Sequence, residues 1–282
     1  MNQFLVTSAE EHTLRAQQEY GNQTIGRYQI FGDAGFINFG FWKNIAPVGH
    51  FEGLTMKDRN ESAKELYRYL WKQINLLSTS AAKQSITILE VGCSTGSGLS
   101  MLMEDLDNDS QHMILVGQDI TPQQLQRAKD RLSAVHSSVP VHLVSNLVEL
   151  ESNSFDIIFS VETLQAVENL DSFVQHAARL PNSDKGALAF AMHLCPHSDR
   201  GMKDCEKSYQ HGHRPISWAL YRYFSKFVDI KVQSIGEYVF PAWGAFSDTV
   251  DVEESFVEAI VQAWREGVLD YYIVTAYNHQ SI

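Results

Sequence analysis

Short apolar runs, separated by stretches with helical spacing, organise the chain from residue 86 onward. The runs are Ile86–Val91, 113–117, Val141–Val144, 155–161, Ala187–Leu194, 230–239 and 269–277. Continuously apolar runs of this length are typical of parallel strands that are covered on both faces. Their alternation with helical stretches predicts an α/β fold, a Rossmann-like, doubly wound sheet of seven strands.

Two parts of the chain depart from this rhythm. Before residue 86, a stretch rich in glycine and aromatic residues at 32–49 precedes a helix that begins near Thr55. We therefore predict an N-terminal helical cap over residues 1–85. Residues 86–282 then form the main domain. After the fifth strand, the polar and histidine-rich stretch 194–227 is predicted to be a lid insertion.

Charge and cysteine content narrow the class of protein. The 282 residues carry 34 acidic against 22 basic side chains, a net charge of -12, so the basic footprint of a nucleic-acid-binding protein is missing. Three cysteines argue against a disulfide framework. No signal peptide is predicted at 1–19, and the chain has no apolar run of membrane-spanning length. We therefore expect a cytoplasmic protein without a membrane span. The sequence does not decide between a monomer and a homodimer.

A glycine-rich loop, Leu-Glu-Val-Gly-Cys-Ser-Thr-Gly-Ser-Gly at 89–98, follows the first strand and opens a helix. Gly92 permits a tight turn, and Gly96 lets the backbone approach a ligand closely. Asp119 ends the second strand, where an acidic side chain can accept hydrogen bonds from ribose hydroxyls. These features predict a nucleotide-bearing ligand. A nicotinamide dehydrogenase is the rival interpretation, but its Gly-x-Gly-x-x-Gly pattern is not present.

This loop resembles the first motif of the class I S-adenosylmethionine (SAM)-dependent methyltransferases, in particular the small-molecule enzymes related to tocopherol, sterol and polyketide-tailoring methyltransferases. Ser94 departs from the motif, because the family often has another glycine there. The resemblance implies SAM as the cofactor. It implies cofactor binding by Tyr28, Trp42, Glu90, Gly92, Cys93, Gly96, Asp119, Asn146 and Leu147.

In that resemblance, Asn146 holds the adenine amino group and Leu147 lies beside the adenine ring. The segment Gly35-Phe-Ile-Asn-Phe-Gly-Phe-Trp42 resembles the family's Asn-x-Gly-Tyr/Phe-Trp segment, which caps the cofactor and acceptor sites. The alternative for its three phenylalanines, Phe36, Phe39 and Phe41, is ordinary packing in the core.

The catalytic residues are less clearly marked. Many relatives carry Glu-Ser-Leu-x-His after the fourth strand, whereas this chain reads Glu162-Thr-Leu-Gln-Ala166, and alanine cannot take a proton. We therefore predict that Glu162 lines the pocket and that His193, at the end of the fifth strand, is the general base. The histidines of the lid (His197, His211 and His213) are more readily explained as solvated loop residues, and we predict no metal site.

These observations predict methyl transfer from SAM to an oxygen or carbon of a small, largely apolar acceptor, as in natural product biosynthesis. Aromatic residues across 218–246 would supply apolar walls for such an acceptor. The alternative keeps the fold and SAM but catalyses a rearrangement or cyclisation without transfer. A third alternative, an interaction module that has lost its cofactor, is disfavoured because Gly92, Gly96 and Asp119 are intact.

Overall fold

The computed structural model describes residues 35–47, 49–75, 85–106, 112–164, 167, 173, 176–184, 186–194, 227–249 and 254–278. Tyr28 and Ala166 lie outside this range, as does the predicted lid except at its two ends. The division into a cap and a main domain, and the lid itself, therefore stay predictions.

A single mixed sheet of seven strands forms the centre of the described chain. In chain order the strands are β1 Ile86–Val91, β2 Met113–Gln118, β3 Val141–Val144, β4 Ile157–Val161, β5 Ala187–Leu194, β6 Asp229–Ser234 and β7 Asp270–Tyr277. Their spatial order is β3-β2-β1-β4-β5-β7-β6. The first five strands run parallel, and β7 runs antiparallel to both β5 and β6. The predicted Rossmann-like sheet is confirmed.

Helices flank the sheet. Their bounds are α1 Met56–Gln73, α2 Ser97–Asp105, α3 Pro122–Ser133, α4 Phe240–Ser247 and α5 Glu254–Arg265, with single 3-10 turns at Leu147–Glu149 and Gly236–Tyr238. Helix α1 begins with a capping box, in which Thr55 and Asp58 each bond the other's backbone N–H. Its apolar side packs against α2 and β5. None of the described helices is long and apolar enough to cross a membrane.

Each face of the sheet carries its own apolar cluster. The larger one collects side chains from the 35–54 segment, α1, α2, α4 and α5, including the fully buried Trp42, Trp71 and Trp243. The smaller one lies on the other face and includes Leu89, Ile158 and Phe190. Because both faces are covered, the strands can be continuously apolar, as the sequence pattern indicated.

The prediction that the sixth strand extends to residue 239 is wrong. The observed strand ends at Ser234, and the chain then turns through Gly236–Tyr238 into α4. A Cβ at Gly236 would collide with the Asp270 carboxylate, so the chain turns where only glycine fits. Pro241 lies in the first turn of α4, where its fixed φ suits a helix and its missing N–H is not needed.

Candidate active site

The glycine-rich loop turns tightly at the carboxyl end of β1. Gly92 and Gly96 have φ values of +72° and +74°, in the left-handed region that favours glycine. The N–H groups of Gly92 and Cys93 both donate to the Gln118 carbonyl, at 2.7 and 2.9 Å. A Cβ at Gly92 would collide with the side chain of Thr163. The loop is therefore in direct contact with the residues that follow β4.

Ser94 adopts φ +47°, which a residue with a Cβ rarely does. This conformation explains why glycine is common at the position. The Ser94 N–H donates to Oδ2 of Asp119 at 2.9 Å, and the Thr121 N–H donates to Oδ1 at 2.9 Å. Burial raises the pKa of Asp119, and both backbone hydrogen bonds oppose that rise. Asp119 is thus held rigidly beside the loop, as the resemblance implied.

Glu90 lies beneath the loop and is completely buried. Its Oε1 accepts a hydrogen bond from the Tyr67 hydroxyl at 2.9 Å. Its Oε2 is also buried, and no residue in the described ranges bonds to it. Burial raises the pKa of Glu90 to about 8. A buried carboxylate oxygen without a partner is costly, so the position suits a ligand that brings an N–H donor.

Three further residues of the predicted cofactor set are located by the structure. Cys93 is buried between the loop and β2, and burial raises the pKa of its thiol. Asn146 follows β3 and is exposed, with its Oδ1 accepting the Val148 N–H at 3.0 Å. Leu147 is buried in the smaller cluster. The loops after β1, β2 and β3 thus place this set at one edge of the sheet.

Trp42 lies in the core rather than at that edge. It is fully buried, and its indole N–H donates to the Phe39 carbonyl at 2.8 Å. Its backbone N–H donates to the Tyr238 carbonyl at 2.9 Å. The three phenylalanines of the segment are also buried in the larger cluster. This placement supports the packing alternative for all four rings, and a direct role of Trp42 in cofactor binding stays a prediction.

The segment that contains these rings is nevertheless tied to the loop and to α1. The Thr95 hydroxyl donates to the Gly35 carbonyl at 3.2 Å. The Arg59 guanidinium, itself completely buried, donates to the carbonyls of Phe36 and Asn38 at 2.6 and 2.9 Å. These hydrogen bonds hold segment 35–42 against the glycine-rich loop and against helix α1.

Glu162 directly follows β4 and is hydrogen-bonded to residues of two distant parts of the chain. Its Oε1 accepts two hydrogen bonds, from the Phe39 N–H and from the Tyr271 hydroxyl, each at 2.8 Å. Burial raises the pKa of Glu162 to about 7, although both hydrogen bonds and the charge of Arg59 favour the ionised form. Its φ of +51° is strained for a residue with a Cβ. Strain of this kind is concentrated at functional sites.

His193 and Glu162 share two neighbours, Phe39 and Tyr271. His193 is 2% exposed, and the register of β5 and β7 sets it opposite Tyr271. Its ring centroid lies 5.6 Å from that of Phe39, edge to face, and 6.4 Å from that of Tyr271. The two residues that the sequence predicted as catalytic therefore share Phe39 and Tyr271 as neighbours, and their catalytic roles stay predictions.

Two residues near Glu162, Arg59 and Tyr271, were not among the site residues predicted from the sequence. Arg59 follows the spacing of the apolar stripe on α1, with Ala63, Leu66 and Leu70. A charged residue on a buried stripe is a signal that the sequence contains. Tyr271 gave no such signal, because its role depends on β7 inserting antiparallel between β5 and β6.

Metal ligation has no support within the described ranges, where no group of three or more His, Cys, Asp or Glu side chains converges. The lid residues considered for it (Cys195, His197, His211 and His213) lie outside those ranges.

Residues 89–184 match a family model described as a methyltransferase domain. This part of the chain is similar to a methyltransferase domain. The match begins at the glycine-rich loop and ends before β5, so it covers Glu90, Asp119, Asn146 and Glu162. It confirms the family resemblance and the enzyme class. No curated protein matches the chain in sequence.

Solved structures share the fold over almost the whole chain. Geranyl diphosphate C-methyltransferase from Streptomyces coelicolor A3(2), in complex with S-adenosyl-L-homocysteine (SAH), is 12% identical with a TM-score of 0.72, covering 97% of this chain and 100% of that one. A putative sarcosine dimethylglycine methyltransferase from Galdieria sulphuraria is 13% identical, TM-score 0.71, covering 95% and 100%. The [4+2]-cyclase SpnF is 14% identical, TM-score 0.65, covering 96% and 97%.

Proposed function

We propose that this methyltransferase transfers the methyl group of SAM to an oxygen or carbon of a small, largely apolar acceptor. One observation carries the proposal. The glycine-rich loop, with Glu90 and Asp119, is in contact through Gly92 and Thr163 with the chain that carries Glu162. This contact supports a cofactor site beside a set of titratable groups at the carboxyl edge of the sheet, where ligands bind in such folds.

The residues at the loop fit SAM. The buried Oε2 of Glu90 suits the ammonium of the methionine portion, because that group brings N–H donors and its positive charge would favour ionisation of the carboxyl, whose pKa burial raises to about 8. Asp119 is held with its carboxylate beside the loop, where it suits the ribose hydroxyls. When bound, SAM supplies a methyl group that its sulfonium charge makes electrophilic. The SAH complex of the Streptomyces coelicolor enzyme supports this choice of cofactor.

The residues around Glu162 suit the acceptor. Phe39, Phe240, Trp243 and Tyr271 form a buried aromatic group, with neighbouring ring centroids 5.2–6.2 Å apart. These rings are packed in the core beside Glu162, so they keep water away from its carboxylate, which suits an apolar acceptor. As the acceptor's electron pair forms the new bond to carbon, its proton must leave. Oε2 of Glu162 or a ring nitrogen of His193 is the group that takes this proton.

A second function shares the same cofactor site. A SAM-binding enzyme of this fold that catalyses a rearrangement or cyclisation is favoured by two observations, the alanine at 166 and the likeness to SpnF. The products separate the two functions. Transfer adds one methylene to the mass of the acceptor, whereas cyclisation or rearrangement leaves the mass unchanged.

Titration calorimetry with SAH tests the cofactor site. Asp119→Ala removes the carboxylate that would accept from the ribose, and we expect SAH binding to weaken by roughly 1.5–3 kcal/mol, about 10- to 100-fold in Kd. Asp130→Ala is the matched control, because Asp130 lies on the exposed face of α3 and accepts a hydrogen bond from the Gln126 amide at 2.9 Å. We expect it to leave Kd unchanged. Absence of binding to the intact protein would contradict the proposal.

The remaining parts of the proposal rest on the sequence. They are a cytoplasmic location, a role in natural product biosynthesis, and closure of the N-terminal segment over the ligands. Deleting residues 1–34, which leaves the buried segment 35–42 in place, should abolish turnover if closure excludes water from the reacting groups. Full activity of the truncated protein would remove the cap from the mechanism.

A further inference from the structure

We infer that Tyr271 is a positioning residue for Glu162. Its hydroxyl, together with the Phe39 N–H, occupies one carboxylate oxygen, so that the other oxygen is the one presented to the acceptor. The inference rests on the proposed function, because it assigns Glu162 to the acceptor side of the site. It adds a residue that neither the sequence motifs nor the family match at 89–184 includes.

The geometry fixes the direction of the hydrogen bond. Tyr271 is completely buried, and its hydroxyl oxygen lies 2.8 Å from Oε1 of Glu162. Burial, and then the nearby charge of Glu162, raise the pKa of Tyr271 well above its ordinary value. The hydroxyl therefore stays protonated at neutral pH and donates to Oε1 whenever Glu162 is ionised. Away from water, it has no solvent donor or acceptor as a substitute.

Oε1 of Glu162 is then saturated from two sides. The Phe39 N–H reaches it from segment 35–42 and the Tyr271 hydroxyl reaches it from β7. Two donors on one oxygen fix the rotation of the carboxylate about its last bond. The remaining oxygen therefore has one defined direction, which general-base catalysis requires.

Other titratable groups face the same carboxylate. Arg59 on α1 favours the ionised form by its charge. Tyr67, also on α1, is close enough for Glu162 to contribute to its raised pKa, after burial and Glu90. His193 on β5 packs edge to face against the same Phe39. Of these groups, Tyr271 is the one whose side chain bonds Glu162 directly. Removing its hydroxyl should destabilise the ionised form and raise the pKa of Glu162.

The test is a direct titration of Glu162. Protein labelled with ¹³C at the glutamate carboxyl carbon is titrated by NMR, with Glu162→Gln to assign the signal. In Tyr271→Phe we expect the Glu162 midpoint to move up by on the order of one pH unit, the effect of losing one hydrogen bond to a charged group. Tyr277→Phe is the matched control. Its hydroxyl also donates a buried-strand hydrogen bond, to the Gln73 carbonyl at 2.8 Å, but at the opposite end of β7.

An unchanged midpoint in Tyr271→Phe, or an equal shift in Tyr277→Phe, would overturn the inference. If Tyr271→Phe does not fold, wild-type protein labelled at the tyrosine ζ carbon gives a second readout. The Tyr271 signal should then titrate with Glu162 and lose that response in Glu162→Gln, and a signal that ignores Glu162 would overturn the inference equally. Neither readout needs SAM or an acceptor. A failure of SAH binding would therefore contradict the proposed function without deciding the role of Tyr271.

Discussion

Replacing Glu90 with glutamine should change how the stability of the protein depends on pH. The carboxyl is completely buried, and burial raises its pKa from an ordinary value of 4.5 to about 8. The folded state therefore holds a proton on Glu90 that the unfolded chain releases. Stability from this group is fully present below pH 4.5 and is lost as pH rises towards 8.

The size of the effect follows from the two pKa values. A difference of one unit corresponds to about 1.4 kcal/mol, so the wild-type protein should lose on the order of 4 kcal/mol of unfolding free energy from Glu90 across this window. Glutamine has nearly the same shape and never ionises. Its amide still bonds the Tyr67 hydroxyl, so the packing around the site is preserved.

Urea denaturation at intervals from pH 5 to pH 8 measures this difference. Without ligand, Glu90→Gln should match the wild type near pH 5 and exceed it by a few kcal/mol at pH 8. Glu162 also has a raised pKa, but it is present in both proteins and cancels in the comparison. Glu52→Gln, which removes an exposed carboxyl, should follow the wild type throughout. Parallel curves for the wild type and Glu90→Gln would refute the reasoning.

Three further substitutions test the site. Gly92→Ala should weaken SAH binding at least tenfold by calorimetry, because its Cβ collides with Thr163 and alanine disfavours φ +72°; normal affinity would contradict the loop geometry. His193→Ala should lower turnover by 10²–10⁴-fold with SAH affinity nearly unchanged, and near-normal turnover would remove His193 as a base. Trp42→Phe should lower the free energy of unfolding, measured by urea denaturation, by about 1–3 kcal/mol, because the Phe39 carbonyl loses its hydrogen-bond donor. Weakened SAH binding at unchanged stability would instead support contact between Trp42 and the cofactor.

The sheet was predictable because its signals are local, and a local motif also indicates the cofactor residues, whose roles stay predictions. Continuous apolar runs identify strands covered on both faces, and the loop at 89–98 with Asp119 identifies the ligand-binding edge. The structure adds a reason for one departure from the motif, since Ser94 adopts the left-handed conformation for which glycine is common.

The acceptor side was only partly predictable, because its contacts join residues distant in the chain. Phe39, Glu162 and Tyr271 meet at one carboxylate across separations of 123 and 109 residues. Nothing in a local pattern marks Tyr271. Cofactor binding by Trp42 stays a prediction, because the structure shows only its hydrogen bonds within the core. The end of the sixth strand was missed for a different reason. Apolar residues continue past Ser234, but Gly236 and Pro241 change the backbone.

The central claim is methyl transfer, and isotope transfer tests it most directly. The full chain is incubated with SAM that carries a ¹³C-labelled methyl group and with two probe acceptors in separate reactions, an apolar, uncharged prenyl alcohol and the polar sarcosine. High-resolution mass spectrometry then follows the label. The account predicts SAH formation and a labelled methyl group on the apolar probe, with transfer lost in Glu162→Gln. Label found only on sarcosine would contradict an apolar acceptor site, and an apolar probe converted to an isomer of unchanged mass would contradict methyl transfer itself.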